Sequence, residues 1–424
     1  MKNQEMLPAQ PIVYDGRLGE QYKIFLLNVF LGVITLGIYH YWGKTRQRRY
    51  TTSGFLLMND RFEYTGYGIE LFWGFIKALV IIGILSIPFF YAFSSMNKIT
   101  HKMEQLEQKQ ATAQHAQSLE VPDSKKKTKS KKHSSSDDDV WDKLSSQEQK
   151  TFVSASIIVF GYLVFYYAYL PFAAIFGSLR YRVTRTRWRG IRGHMTGSAI
   201  LYGFIGFFHT LLKIITLGLW IPFADAMTYK YKIKKIFFGS QQASFKPEYG
   251  KLFGIHLLTI AIGVLLAAIV GFIVSLLSMH TENIQQATES TEHIAAGLEE
   301  LQKISSVTAL IFILAVIMIF FARFWYRAAF IRMKYNNLSF GDIGFHCTMT
   351  GWGLFKQLCG NFFILIFTLG LGLPIVIQRR QKFFCKHVSV TGDIEKSPIL
   401  QATGEKDKSG EGLSSLFDLN IGLF

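Results

Sequence analysis

Hydrophobic positions along the chain fall into seven stretches of membrane-spanning length, separated by basic or polar connectors. Crossing a hydrocarbon core about 30 Å thick takes about 20 mainly apolar residues. Four stretches are uninterrupted and predict transmembrane helices, at residues 71–94, 152–177, 252–278 and 307–327. The other three contain glycine and polar residues and share the triplet Thr-Leu-Gly, at residues 20–41, 199–223 and 352–377.

The Thr-Leu-Gly stretches leave two topologies open. If all seven stretches span, equally basic connectors lie on both sides of the membrane, against the positive-inside rule. If these three enter and leave on one face, as broken or re-entrant helical hairpins, every short basic connector is cytoplasmic. Glycine and proline favour such a break, whereas a glycine-rich packing face would suit an ordinary span.

Each connector ends in a short stretch that contains aromatic residues and glycine. Turn residues next to alternating apolar and polar positions are typical of small β-hairpins. These stretches lie at residues 59–66, 186–197, 240–250 and 336–351. We therefore predict an all-α polytopic membrane protein with four long transmembrane helices, three Thr-Leu-Gly broken or re-entrant segments, and short β-hairpins in its basic connectors.

Two polar breaks divide the chain into membrane modules. The first break has low complexity, with a lysine block before an acidic block, and cannot bury enough apolar surface to offset its ordering entropy. The predicted organisation is a first membrane module at 1–94, a largely disordered loop at 95–150, a second module at 151–278, an acidic loop at 279–303, a third module at 304–400 and a flexible tail at 401–424.

Composition agrees with a membrane location. Of the 424 residues half are hydrophobic and only 18% are charged, which suits a polytopic membrane protein better than a soluble domain. The formal net charge of +17 is explained by Lys and Arg retained beside anionic lipid, and no nucleic-acid motif accompanies it. The first 22 residues lack the apolar core of a cleavable signal.

Polar residues inside the apolar stretches are candidates for a polar path. Asn28, His209 and Asn361 each lie seven residues before the threonine of a Thr-Leu-Gly triplet. Lys77 and Lys213 also lie in apolar runs, where a cation marks a partner or a pathway. The alternative is that the three matching residues form hydrogen bonds between neighbouring helices, and that Lys77 reaches the headgroups.

The basic connectors supply candidate residues for lipid headgroups. Arginine binds phosphate through two parallel hydrogen bonds, and Trp and Tyr favour the membrane interface. Topogenic charge alone would also explain this pattern. The candidates are Arg46, Arg48, Arg49, Arg185, Arg187, Arg189, Lys234, Lys235, Arg379 and Arg380.

Catalytic and metal-binding signals are absent from the sequence. No HExxH, GxSxG or P-loop motif occurs, the apolar stretches almost lack carboxylates, and the three cysteines have no Cys-x-x-Cys spacing. We therefore expect no enzymatic activity, no cofactor and no bound metal. The scarcity of carboxylates also disfavours a proton- or sodium-coupled transporter.

A family resemblance covers most of the chain. The segments "FLLNVFLGVITLGIYHYWGKTRQRRY" and "NDRFEYTGYGIELFWGF", followed by paired spans and a second "ITLG", resemble the YjgN-like bacterial inner-membrane proteins, a family defined as a domain of unknown function. The resemblance runs over about residues 12–400. It implies a location in the bacterial inner membrane and supplies no activity, while the apolar stretches predict that the chain is multi-pass.

Two functions fit this sequence. One is an inner-membrane protein that moves or senses a small or lipid-like molecule through its broken segments. The alternative is a non-transporting scaffold that binds anionic lipid or partner proteins through a basic cytoplasmic face. Membrane lipids are the expected partners in both cases.

Overall fold

The computed structural model describes residues 9–119, 141–287, 309–311, 313 and 322–394. Within these ranges the chain forms helices and ten short strands. The strands are β1 (Gln10–Tyr14), β2 (Phe55–Leu57), β3 (Asp60–Tyr64), β4 (Thr186–Trp188), β5 (Ile191–Met195), β6 (Ile236–Phe238), β7 (Gln241–Phe245), β8 (Leu338–Phe340), β9 (Ile343–Cys347) and β10 (Val388–Thr391).

The helices alternate with these strands. They are α1 (Leu18–Ile34), α2 (His40–Ser53), α3 (Gly68–Leu119), α4 (Ser146–Val164), α5 (Leu170–Arg185), α6 (Ala199–Ile215), α7 (Ile221–Ile233), α8 (Tyr249–Ala287), α9 (322–336), α10 (Gly351–Phe367) and α11 (Leu373–His387). A short π-helical segment, Phe165–Tyr169, joins α4 to α5.

The ten strands close into one antiparallel barrel. Four tight hairpins, β2–β3, β4–β5, β6–β7 and β8–β9, lie side by side, and β1 pairs with β10 to close the ring. The same register recurs at all five junctions between neighbouring pairs. The matching partners are Ile12 with Leu57, Phe62 with Trp188, Gly193 with Phe238, Ala243 with Phe340, and Phe345 with Val390.

The barrel therefore consists of five units with the same order of elements. In each unit an entering helix leads into a short strand, and a five-residue strand leads into a leaving helix. Because every pair is antiparallel, all helices join one rim and the hairpin turns lie at the other. The units are α2–β2–β3–α3, α5–β4–β5–α6, α7–β6–β7–α8, α9–β8–β9–α10, and finally α11–β10 paired with β1–α1 from the two ends of the chain.

Apolar side chains fill the barrel. Its central cluster contains Leu57, Trp188, Ile343 and Val390, all less than 9% exposed, and Ile394 joins it from beyond β10. These side chains pack against one another, so the described part of the barrel interior is an apolar core.

The prediction of an all-α protein with four long spans is wrong. The predicted β-hairpins are parts of a closed barrel, and only three described helices are long and apolar enough to cross a membrane, at Gly68–Thr112, Ser146–Arg185 and Tyr249–Leu276. The predicted fourth span, 307–327, falls mostly outside the described residues. So do the centre of loop 95–150, most of loop 279–303 and the tail 401–424.

The three predicted broken or re-entrant segments are instead pairs of separate helices. In each pair a 17-residue helix ends at the threonine, and a second helix returns to the barrel. A helix of this length spans about 25 Å, less than the hydrocarbon core of a bilayer. The pairs are α1/α2, α6/α7 and α10/α11.

Thr-Leu-Gly forms the turn in all three pairs, and its chemistry explains why the triplet recurs. Leu36 and Gly37 both have positive φ, 49° and 89°, and reverse the chain. The Thr35 hydroxyl donates to the Leu31 carbonyl at 2.7 Å and accepts from the Tyr39 amide at 2.9 Å. One side chain thus caps the end of α1 and the start of α2. The turns at Thr216 and Thr368 repeat this geometry.

Candidate functional site

A pocket at the barrel-proximal end of the first long apolar helix combines arginine with aromatic side chains. It lies between α2 and the start of α3 and has a volume of about 270 Å³. Its wall contains no carboxylate. The lining residues are Tyr39, Trp42, Thr45, Arg46, Arg49, Tyr67, Gly68 and Ile69.

The spacing along α2 places the basic and aromatic side chains on one face. Trp42, Arg46 and Arg49 are four and three residues apart, so they form a continuous stripe on the helix. Arg46 and Arg49 are both exposed. All three residues line the pocket.

Arg49 is held in place by two contacts. Its Nη2 donates to the carbonyl oxygen of Gly66 at 2.7 Å, and its guanidinium lies 5.0 Å from the centre of the Tyr67 ring. A cation at this distance is attracted to the face of the ring. The remaining N–H groups of this fixed guanidinium are available to an acceptor in the pocket.

The pocket lies where the apolar surface of α3 begins. Gly68 is the first residue of the candidate span. It packs closely against Trp42, because a Cβ at this position would lie 2.7 Å from the Trp42 Cα. Tyr67 and Trp73 are 58% and 54% exposed. Exposed aromatic residues at the end of an apolar helix are typical of the level of the membrane interface.

The ten predicted headgroup residues do not form one cluster. Only Arg46 and Arg49 line this pocket. Arg185 is 7% exposed and forms a salt bridge with Glu70 at 2.7 Å, and Arg189 pairs with Asp60 on the barrel at 2.5 Å. The others lie on α2, on β4, at the end of α7 and on α11, namely Arg48, Arg187, Lys234, Lys235, Arg379 and Arg380.

Two of the five predicted polar-path residues lie in one network. Lys213 forms a salt bridge of 3.1 Å with Asp225, which also accepts a hydrogen bond of 3.0 Å from the Tyr326 hydroxyl. One turn before Lys213, His209 accepts at Nδ1 from the Trp220 indole at 3.1 Å. These contacts join α6 to α7, and the tyrosine adds α9.

The other three polar-path residues lie elsewhere. The Asn28 amide donates to the Gly43 carbonyl at 3.1 Å and links α1 to α2. Asn361 is buried in α10, and Lys77 is exposed on α3. A polar path through all five residues remains a prediction, while the contacts of Asn28 and His209 join the two helices of a pair.

Sequence reasoning missed Trp42 and Tyr67 as pocket residues and Asp225 as a charged partner. The spacing of Trp42, Arg46 and Arg49 would have predicted that these three residues share one face of a helix. Tyr67 and Gly68 could not be placed this way because they reach the pocket from the next helix. No local sequence pattern predicted that Asp225 would pair with Lys213.

Comparison with known proteins gives a family. The family model described as "Bacterial protein of unknown function (DUF898)" matches residues 9–416. The chain belongs to this family. It is also similar to the protein named inner membrane protein YjgN of Salmonella typhimurium, with 36% identity over 70 residues, which is 16% of this chain and 18% of that relative. No solved structure matches the chain.

Proposed function

We propose that this family member is an inner-membrane protein that recognises an anionic, lipid-like molecule, with the phosphate-bearing headgroup in the pocket formed by α2 and α3. The inner-membrane location is supported by the name of the Salmonella relative and by the three long apolar helices. The observation that carries the proposal is the pocket itself, with Arg46 and Arg49 beside three aromatic rings and no carboxylate.

The chemistry of the pocket suits an amphiphile. Guanidinium groups bind phosphate oxygens through short, charge-assisted hydrogen bonds. Beyond the pocket, α3 presents an exposed apolar surface that includes Trp73, Val80 and Ile84, along which acyl chains can lie. A soluble phosphate compound would use the first feature and gain nothing from the second.

Recognition and sensing suit this geometry better than passage through the barrel. The Leu57, Trp188 and Val390 side chains make the barrel interior apolar, and an apolar interior disfavours a charged headgroup. The basic rim still offers the non-transporting scaffold as a second reading, in which lipid held at the pocket organises the protein in the membrane. Both readings require a lipid at Arg46 and Arg49.

The barrel also supports the placement of all basic connectors on the same side of the membrane. Because the barrel is closed, its five strand pairs lie together, and the positive-inside rule favours the cytoplasmic side for the basic residues beside them. Single cysteines replacing Ser53, Ser240 and Ser339, in a background without Cys347, Cys359 and Cys385, test this. All three should react with an impermeant thiol reagent only in permeabilised cells, and periplasmic labelling of any of them contradicts the orientation.

Lipid binding tests the function directly. Purified protein in a neutral detergent is titrated with fluorescent phosphatidylglycerol, with phosphatidylcholine, whose choline cation offsets the phosphate charge, as the zwitterionic comparison and glycerol phosphate as the soluble one. We expect phosphatidylglycerol to bind best, and Arg46→Gln or Arg49→Gln to weaken it about tenfold each.

The control variant is Arg332→Gln. Arg332 makes the same type of contact in another unit, donating to the Met349 carbonyl at 2.6 Å, but lies outside the pocket lining. The Arg332→Gln variant should bind phosphatidylglycerol with the same affinity as the unmodified protein. Equal binding of both lipids, or equal loss in all three variants, would overturn the proposal.

A further inference from the structure

One wall of the lipid pocket is the segment 65–70, which contains the link from β3 to α3 and the first three residues of that helix. The pocket-lining residues of this segment are Tyr67, Gly68 and Ile69. The other wall is α2, which contacts the segment through the hydrogen bond from Arg49 to the Gly66 carbonyl. The shape of the pocket therefore depends on what else holds this segment in place.

Arg185, the last residue of α5 in the second unit, holds both ends of the segment. Its backbone carbonyl accepts from the Thr65 amide at 2.8 Å and from the Thr65 hydroxyl at 3.1 Å. Its guanidinium donates through Nη2 to Glu70 Oε1 at 2.7 Å. The Tyr181 hydroxyl, one turn earlier on α5, donates to Glu70 Oε2 at 2.6 Å. The neighbouring unit thus fixes the pocket wall at Thr65 and at Glu70.

The contacts of the Glu70 carboxylate are largely shielded from solvent. The Arg185 side chain is 7% exposed and the Glu70 side chain 23%. Tyr181 is 1% exposed and packs in one apolar cluster with Tyr41 and Leu71. A partly buried ion pair is screened much less than a surface pair, and removal of one partner leaves the other charge uncompensated. Arg185 therefore both positions the wall and neutralises Glu70.

This link between units belongs to the unit that carries the pocket. Glu70 is the third residue of its leaving helix, and the third residues of the other leaving helices are Leu201, Lys251, Gly353 and Glu20. The Glu20 carboxylate pairs with Lys23 of its own helix at 2.8 Å, and both side chains are exposed. In this set, Glu70 is the carboxylate that pairs with a residue of the neighbouring unit.

We propose that Arg185 is a positioning residue of the lipid pocket, which acts through Glu70 and not through a bond to the headgroup. The inference rests on the proposed function, because it describes how the same pocket keeps its shape and its positive charge. Glu70 lies two residues after Gly68, so without Arg185 its carboxylate places an uncompensated negative charge next to the pocket wall. That charge would repel an anionic headgroup.

Phosphatidylglycerol binding to the purified full-length protein in neutral detergent tests this role. In Arg185→Gln we expect the affinity to fall about tenfold, because the wall loses an anchor and Glu70 repels the headgroup. In the double variant Glu70→Gln/Arg185→Gln the repulsion is absent, and most of this affinity should return. If Arg185 bound the headgroup itself, the double variant would stay as weak as the single one.

Lys23→Gln is the matched control, since it leaves Glu20 unpaired at the same position of another unit. This variant should bind phosphatidylglycerol with the affinity of the unmodified protein. Tyr181→Phe removes one hydrogen bond to Glu70 and should weaken binding about threefold. Thermal unfolding in detergent verifies that each variant is folded. If Arg185→Gln is not, Tyr181→Phe decides, and unchanged affinity in that variant overturns the inference.

Three further results would overturn the inference while leaving the lipid pocket in place. They are normal phosphatidylglycerol binding by folded Arg185→Gln, equal weakness of Arg185→Gln and the double variant, and an equal loss in Lys23→Gln. Failure of the proposed function is distinguishable from these results. In that case the unmodified protein binds no phosphatidylglycerol, or binds it without dependence on Arg46, and the inference fails with it.

Discussion

Units one and four of the barrel share their architecture and differ at the pocket. In both, an arginine on the entering helix donates to the carbonyl seventeen residues later, Arg49 to Gly66 at 2.7 Å and Arg332 to Met349 at 2.6 Å. This bond connects the entering helix to the start of the leaving helix. Its recurrence in a unit without the pocket indicates that its first role is structural.

A glycine against a tryptophan is the second shared feature. Gly68 packs on the Trp42 backbone in unit one, and Gly351 packs on the Trp325 backbone in unit four. The units differ at the other lining positions, among them Arg46 and Tyr67, which are matched by Ala329 and Thr350 in unit four. Shared residues therefore build the unit, and Arg46 is one of the residues that distinguish the pocket.

We expect the largest effect when the two shared glycines, Gly68 and Gly351, are replaced by alanine, and this effect is a loss of folding stability. In Gly68→Ala the new Cβ would lie 2.7 Å from the Trp42 Cα, and in Gly351→Ala 3.1 Å from the Trp325 Cα. Overpacking against backbone costs about 1–3 kcal/mol. Thermal unfolding in detergent should show losses for both variants, larger for Gly68→Ala, and unchanged stability in both would contradict the close packing.

The next effect separates the two roles of arginine. Arg49→Ala and Arg332→Ala each remove a charge-assisted hydrogen bond to a carbonyl, and we expect each to lower the free energy of unfolding by about 1–2 kcal/mol. Only Arg49→Ala should also weaken phosphatidylglycerol binding. If Arg332→Ala weakens lipid binding equally, the loss reflects general destabilisation.

The smallest effect concerns the stability of Arg46→Gln. Arg46 is exposed on α2, and surface substitutions usually change stability by less than about 0.5 kcal/mol. Its unfolding midpoint should therefore match that of the unmodified protein, while lipid binding falls. A large loss of stability would place Arg46 among the structural residues.

The sequence predicted short elements better than their assembly. Apolar runs located three long helices, and turn residues located the hairpins, because both signals are local. The barrel could not be inferred, since its strands are three to five residues long and its closure pairs Gln10 with Val390. Such a contact leaves no periodic pattern in either segment.

At the candidate site, too, the sequence predicted the residues of one helix better than those brought together by the fold. Arg46 and Arg49 were predicted from a basic run beside aromatic residues, which is a local pattern on one helix. Tyr67 and Gly68 were not, because they reach the pocket only after the chain has passed through the β2–β3 hairpin.

Photo-crosslinking with a phosphatidylglycerol that carries its reactive group near the phosphate tests the central claim most directly. After reaction with the protein in lipid nanodiscs, peptides are mapped by mass spectrometry. The account predicts labelling concentrated on the segments that contain Tyr39 to Arg49 and Tyr67 to Trp73, and lost in Arg46→Gln. Equal labelling of all five units, or labelling unaffected by Arg46→Gln, would contradict a specific headgroup site.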